Sequence, residues 1–437
     1  MRAFLVLLAV FIGLLAFTWL DSLSKASEDA DVAGRFGDPI PGLNAGQRAT
    51  FEFGRSVFTR RFTRPEGLGP HFNASSCAAC HEDPVPGGSA QRYRDFLLVA
   101  RTTPLGGVAK LYPDCTSENR ATHQSELCLP SMVLPHYGPK GTIEDPVASA
   151  VEHPRVSPEA DVIARRNAPP LFGVGLFRLV SDEEILSRAD PDDRDHNSIS
   201  GRVNRIPTED DDIGRFGYKC QTASIEAFNR GAMINQMGIT SDSTELASLE
   251  GDRAAADGAQ PGFLRDLLAP KPAHAQVANP VDRIIDFDGA FDPEVTRGEL
   301  LALVFFQENL AAPRRGIISA AATAGEQVFA RIGCADCHVP SLESTIGMIH
   351  PYTDLLIHDM GPVLADGIEM AGATGSEFRT QPLWGLCEHF PFLHDGRADT
   401  LEEAILLHGG EAQRARDQYA ALGSADVTLL HRFLESL

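Results

Sequence analysis

Two short stretches decide the reading of this chain: LGPHFNASSCAACH (68–81) and GCADCHVPSL (333–342). Each contains Cys-x-x-Cys-His, running from Cys77 to His81 and from Cys334 to His338. Covalent attachment of haem needs two thiols to add to the two vinyl groups and an imidazole placed to reach the iron. This five-residue pattern supplies all three. A zinc site built from Cys77, Cys80, Cys334 and Cys337 is the rival. It leaves the two following histidines unexplained. A thioredoxin-like redox motif accounts for one Cys-x-x-Cys at most, and no βαβ pattern surrounds either copy. Two covalently bound haem c groups are therefore expected, with His81 and His338 as proximal iron ligands.

The surroundings of the two motifs echo each other. Gly54-x-x-x-Phe58 precedes the first and Gly325-x-x-x-Phe329 the second. Downstream, Gly214-Arg215-Phe216 leads to a helix start at SIEAFN, and Gly396-Arg397-Ala398 leads to TLEEAI. Two related halves explain this economically. The expected fold is mainly α, with two cytochrome c-like domains. The boundaries expected are 27–43 for a linker, 44–316 for an N-terminal haem domain and 317–437 for a C-terminal cytochrome c domain. Long loop insertions enlarge the first half, at about 105–156 and in the Ala-, Pro- and Gly-rich stretch 251–280. The last helix is expected behind Ser424, from the spacing of Val427, Leu430, Phe433, Leu434 and Leu437.

Arg2 followed by the apolar run 3–20 reads as an export signal. Residues 1–26 are expected to be either a cleaved signal peptide or a retained membrane anchor, since the run is just long enough to span a bilayer. A periplasmic location follows. Zinc bound by the four motif cysteines would then need reduced thiols outside the cytoplasm. The remaining cysteines are even in number, which in an oxidising compartment suggests disulfides. Cys115–Cys128 is the expected local bridge and Cys220–Cys387 the long-range one, with free buried thiols as the alternative for the latter. The formal net charge of −22 argues against nucleic acid as a partner. It suits a basic electron-transfer protein, and equally plain solubility.

The sixth ligand of each iron decides what the iron can do: a filled position favours electron transfer, an open one admits small ligands. Thr400-Leu401-Glu402-Glu403 is a capping box, so a helix starts there. His408 lies two turns along, before Gly409-Gly410, and is the candidate ligand for the second haem; His394 and His358 are the alternatives. The equivalent place in the first half, SIEAFNRGAMINQMG, has no His. Met233 and Met237 could ligate there but are more often core residues.

These residues resemble the bacterial di-haem cytochrome c peroxidases and their relatives, most closely the thiol-oxidoreductase-like branch of di-haem oxidoreductases. Besides the two haem motifs, the stretches that carry the resemblance are RRNAPPLFGVGLF (165–177), DPDDRDHNSISGRVNRI (190–206), GRFGYK (214–219), NQMGITS (235–241), LIHDMGP (356–362), FRTQPLWGL (378–386) and FLHDGRADTLEEAILLHGGEA (392–412). It runs from about Gly54 to Leu437. It implies a distal ligand for the second haem fourteen residues after the His of His394-Asp395-Gly396, which is His408, where the peroxidases usually have Met. It also implies that the first haem meets peroxide, helped by a distal Glu just before Met-Gly. Here that position is Gln236, whose amide cannot shuttle a proton. Glu226, ten residues earlier, falls near a second polar pocket position of the family. The family's relay Trp comes from the first half; this chain has only Trp19 and Trp384, and Trp384 is expected to pack near the second haem. The family's calcium ion between the haems would use the backbone carbonyl of Pro391. Separately, Asp193-x-Asp195-x-Asn197 has calcium-loop spacing, but Ser198 replaces the turn Gly and Asn204 the closing Glu; a solvated acidic turn accounts for it as well.

The function implied is a di-haem c-type oxidoreductase of peroxidase type. It would move electrons between a donor cytochrome or other redox protein and an oxidant. The alternatives are a non-catalytic electron carrier and an enzyme that oxidises side chains of a partner protein.

Overall fold

The computed structural model describes residues 29–104, 107–111, 131–137, 156–207, 212–241, 290 and 292–437. The expected signal segment, the Cys115–Cys128 bridge and most of the two insertions lie outside the described residues.

Each half is organised around one crossed helix pair. In the first half, α1 (Ala45–Thr59), α2 (Ile225–Met237) and α3 (Arg297–Glu308) carry the core. Asn44 and Gln47 close a capping box on α1, and Thr296 and Glu299 do the same on α3. The buried face of α1 is Thr50, Phe51, Gly54, Val57 and Phe58, one stripe at helical spacing. Gly54 is the contact point. A Cβ there would lie 1.9 Å from the Ala302 carbonyl oxygen of α3, so only Gly lets the two backbones meet. Phe51 and Phe58 then pack on Phe306, with ring centroids 5.0 and 5.2 Å away.

The second half repeats this arrangement. α4 (Ala320–Arg331) crosses α6 (Ser424–Leu434), with α5 (Leu401–Leu407) between them in the chain. A Cβ on Gly325 would lie 2.0 Å from the Leu429 carbonyl oxygen. Phe329 packs on Phe433 at 5.1 Å. The aromatic of each Gly-x-x-x-Phe then reaches the histidine of its own motif: Phe58 to His81 at 6.2 Å and Phe329 to His338 at 6.3 Å. The sequence echo is thus a packing rule, in which Gly admits the partner helix and Phe backs the imidazole. The cap of α6 is Gly423, one residue before the expected Ser424.

The chain is less helical than expected. Helix makes up about 35%, beside several small sheets. The largest sheet is antiparallel and lies in the first half. Its strands are β1 (Phe96–Thr102), β2 (Val108–Lys110), β3 (Val133–Leu134) and β4 (Val162–Arg166). β1 is central, pairing Ala100 with Lys110, Leu98 with Val133 and Val99 with Ile163. Its sequence, FLLVART, is a continuous apolar run without alternation, so periodicity does not mark it as a strand. Two short strands of the second half, β5 (Ile357–Asp359) and β6 (Glu377–Arg379), form a hairpin-like pair.

The halves share packing. Leu342, Ile349, Leu355, Leu356 and Trp384 belong to the same buried cluster as α1, α2 and α3. Ile368 joins the core of the β1–β4 sheet. The segment 29–43, expected as a linker, is fastened along its described length: Ala33–Gly34 pairs in parallel with Ala312–Pro313, and Phe36 packs edge-on against Phe172 at 5.1 Å. Its alternation of small, Pro and polar residues hid this, because the strand pairing is made by backbone groups and the apolar contacts of Val32, Phe36 and Ile40 follow no period. No helix among the described residues is long and apolar enough to cross a membrane.

Candidate haem sites

Both motifs fold the same way. Cys77–Ala79 and Cys334–Asp336 form single tight helical turns, and the N–H groups of His81 and His338 donate to the carbonyls of Cys77 and Cys334, each at 3.0 Å. His81 Nδ1 donates to Pro169 O at 2.9 Å and, at 3.2 Å, to Gly88 O. His338 Nδ1 donates to Tyr352 O at 3.0 Å. A carbonyl can only accept, so the proton sits on Nδ1 and the Nε2 lone pair is left for a metal. Burial holds both imidazoles below their usual range, His338 at about 4, where the nearby His408 adds to the effect. A neutral imidazole is the form that ligates iron.

The thiols are protonated. Burial pushes Cys77 to about 12, with Cys80 adding to it, and Cys334 to about 12, with Cys337 and Asp336 adding to it; Cys80 rises to about 11 through burial. Such thiols are poor redox or zinc ligands. Among the described residues the four motif cysteines do not converge on one point: the single His/Cys/Asp/Glu cluster with metal-ligand proximity is Cys337, Asp354 and His358.

A cavity of about 1660 Å³, including its open mouth, lies beside the second motif. Cys334, Cys337, His338 and His408 line it together with apolar groups such as Ile405 and Leu430. Two thiols, two buried neutral imidazoles and an apolar wall fit a haem attached through Cys334 and Cys337.

The structure separates the three histidines considered as its sixth ligand. His408 ends α5 as its C-terminal cap, and its Nδ1 donates to Ala404 O at 2.7 Å. That is the same tautomer as His338, with Nε2 free. The Thr400–Glu403 capping box that positions it is present as expected. His358 is ruled out, because both its ring nitrogens are taken. Nε2 lies 2.8 Å from Asp354 Oδ2 and Nδ1 lies 2.7 Å from Glu411 Oε2. His394 stacks on Phe378 at 4.2 Å and lowers to about 2 through burial and the charges of Arg166, Arg397 and Lys219. It lines the same cavity, with its ring face covered by Phe378.

Around the first motif, α2 packs its C-terminal end on the loop that leads into Cys77. Gly69 N donates to Met237 O at 2.9 Å, and Asn73 N to Gln236 O at 2.7 Å. The Gln236 side chain accepts from Asn73 Nδ2 at 2.7 Å. Glu226 is buried at the other end of the same helix, 3.6 Å from Arg230 Nη1. Ten residues of helix rise about 15 Å, so Gln236 and Glu226 lie near opposite ends of α2. Met233 and Met237 sit in the shared core.

Several expected features fall elsewhere. Trp384 stacks on Phe177 of the first half at 5.7 Å and presses on Gly173, in the shared core between the halves. Its flat ring fits a slot that the Gly leaves open, which the second-half sequence alone does not reveal. Cys220 and Cys387 do not pair: Cys220 is buried, with Sγ 3.5 Å from Leu355 O, and Cys387 is exposed. The Asp193–Asn197 stretch is an exposed turn whose acids bind its own backbone: Ser198 N donates to Asp193 Oδ1 at 3.0 Å and Asn197 N to Asp195 Oδ1 at 3.2 Å. That favours the solvated turn over a calcium loop. Pro391 lies near Asn167, both within 3.5 Å of where a Cβ on Gly396 would fall. The clusters that the sequence did not disclose are His358–Asp354–Glu411 and a set of buried cations around Phe378. Their members are far apart in the chain, and no motif links them.

Two Cys-x-x-Cys-His turns, each backed by a packed helix pair, fit a di-haem class of protein. The family model described as "Di-haem oxidoreductase, putative peroxidase" matches residues 83–437, and the chain belongs to that family. Among solved structures it is similar to a MauG-like protein associated with microbial copper homeostasis, at 14% identity, covering 93% of each chain with a TM-score of 0.39. The diheme peroxidase BthA of Burkholderia thailandensis matches at 15% identity over 93% of this chain and 92% of that one, TM-score 0.39. A hydrazine synthase of Kuenenia stuttgartiensis matches at 20% identity over 33% of this chain, TM-score 0.24; the match spans 56% of that chain. No curated protein matches.

Proposed function

We propose that this is a periplasmic di-haem c-type oxidoreductase of peroxidase type, with one haem attached through Cys77 and Cys80 and one through Cys334 and Cys337. Haem held there supplies iron that exchanges single electrons and, where a coordination position is open, takes up peroxide or a related oxidant. His81 and His338 would each hold an iron, and each is fixed in one tautomer by a main-chain carbonyl. The observation that carries the reading is the shared cavity of His338 and His408, two imidazoles with matching free nitrogens. Together His338 and His408 would hold the iron of the second haem, which would make that haem the electron-relay centre and the first the reactive one. A His/His iron has a lower potential than a His/Met iron. The second haem is thus a weaker oxidant than in the peroxidases, which usually have Met at this place.

Gln236 favours a second reading. Its amide holds Asn73 in place but cannot carry a proton at neutral pH. Simple peroxide turnover lacks its usual acid here. An enzyme that uses the oxidised first haem to oxidise side chains of a partner protein, or a pure electron carrier, fits that substitution. A donor cytochrome or other basic redox protein is the proposed electron partner, matched to the acidic chain. A calcium ion at Pro391 remains part of the proposal through the family resemblance.

Electron paramagnetic resonance of the ferric protein tests this. A high-spin signal that changes on adding peroxide, beside one low-spin signal, is the expected result. Two low-spin signals with no response to peroxide establish the carrier reading instead.

A further inference from the structure

A surplus of buried positive charge lies against the second cavity. Arg166, Lys219 and Arg379 are only 3%, 0% and 5% exposed. Arg166 pairs with Asp366, and Lys219 Nζ lies 3.4 Å from the same carboxylate. Two cations therefore share one anion. Arg379 has no carboxylate among the described residues. Its Nη1 donates to Arg215 O at 2.7 Å and its Nη2 to Gln381 Oε1 at 2.8 Å, while its Nε is buried without an acceptor.

The nearby acids are already committed. Glu377 holds Arg202 at 2.6 Å, and Asp395 holds Arg397 at 2.5 Å. Lys219 Nζ stands 3.9 Å from the centre of the Phe378 ring, and Arg166 Cζ 5.3 Å from it. Phe378, Arg379, Tyr218 and His394 are one wall of the cavity that His338 and His408 share. His394 in that wall is held neutral, in part by the same cations. A buried cation without a counter-charge is strongly unfavourable. A guanidinium fork is also the group best matched to a planar carboxylate.

We propose that Arg379 anchors a propionate carboxylate of the haem attached at Cys334 and Cys337, and that Arg166 and Lys219, behind Phe378, make this wall the positive side of the site. The inference rests on the covalent haem proposed above. Haem carries its vinyl groups and its propionates on different edges. The two thioethers fix the vinyl edge, and the propionates then need a cationic wall elsewhere in the cavity. Arg379 is a positioning residue, and it acts on the iron through the charge it places at the macrocycle edge.

The test uses the full-length holoprotein, with haem content first established by mass spectrometry of the intact chain. Spectroelectrochemical titration then reads each haem separately in wild type, Arg379→Gln and Arg379→Lys. Loss of the positive charge favours the ferric state, so Arg379→Gln lowers the potential of the low-spin haem on His338. Arg379→Lys restores most of it, and the other haem is unmoved. An unchanged potential in Arg379→Gln, or a shift confined to the haem on His81, overturns the assignment. Where Arg379→Gln fails to mature, the propionate bending band in resonance Raman spectra of wild type and Arg379→Lys decides: a shifted band supports the contact and an identical band refutes it. A wild-type chain carrying one haem or none sinks the underlying haem reading instead, and is seen at the first step.

Discussion

His338 and His408 open onto one buried cavity, and each commits its Nδ1 proton to a main-chain carbonyl, Tyr352 O at 3.0 Å and Ala404 O at 2.7 Å. The two therefore present the same unprotonated nitrogen to the same space. Replacing His408 by Ala is expected to convert the low-spin haem to high spin, and His408→Met is expected to keep it low-spin while raising its potential. Paramagnetic resonance and redox titration check both. An unchanged low-spin signal in His408→Ala removes His408 as the ligand.

Gly54 and Gly325 each bring a helix backbone onto a carbonyl of its partner, with hypothetical Cβ distances of 1.9 and 2.0 Å. Gly54→Ala or Gly325→Ala must push the helices apart. Each is expected to cost about 1–3 kcal/mol of stability, as overpacking does. Chemical denaturation followed at the Soret band measures this. Because Phe58 and Phe329 move with their helices, each variant is expected to perturb the haem of its own half.

Gln236 accepts from Asn73 Nδ2 at 2.7 Å, a bond that a carboxylate oxygen can accept as well. Gln236→Glu is therefore expected to fold and to add the missing acid. General acid–base catalysis contributes roughly 10²–10⁴-fold, so an increase of at least about tenfold in the rate of reaction with peroxide is expected in stopped-flow experiments. No increase means that Gln236 does not face the reactive iron.

His358 sits between two carboxylates, Asp354 and Glu411. Its proton is held well above the usual 6.5: burial opposes the charge, but Cys337 and Asp354 outweigh it. Glu411 is held below 4.5, since the His358 hydrogen bond and charge outweigh burial. The stability from Glu411 is present above pH 4.5 and is lost as pH falls through its folded value. That from His358 is complete below pH 6.5 and is lost as pH rises through its own. Glu411→Gln is therefore expected to destabilise most between these limits, by about 3 kcal/mol, and less on either side. Denaturation across the pH range tests the shape of that difference; a flat profile contradicts the charged pair.

The Cys-x-x-Cys-His motifs, the Gly-x-x-x-Phe echo, the Thr400 capping box and the candidacy of His408 were all legible because each depends on residues close in sequence. A thiol pair and a histidine within five residues leave few other chemistries open. The β1–β4 sheet escaped because a continuous apolar run carries no period, and the docking of segment 29–43 escaped because its backbone pairing and its scattered apolar residues carry no period either.

By itself, then, the sequence determined what is local: the Cys-x-x-Cys-His turns, the helix starts and the residue types that could hold iron. Only the tertiary structure decided what is distributed. It tied up His358 between Asp354 and Glu411, so that His408 remained. It put Trp384 in the shared core, kept Cys220 apart from Cys387, and gathered Arg166, Lys219 and Arg379 around Phe378. The physical reason is the same in each case. Whether a ring nitrogen, a thiol or a buried charge is free depends on partners tens to hundreds of residues away, and burial alone sets the cost of leaving it unpaired.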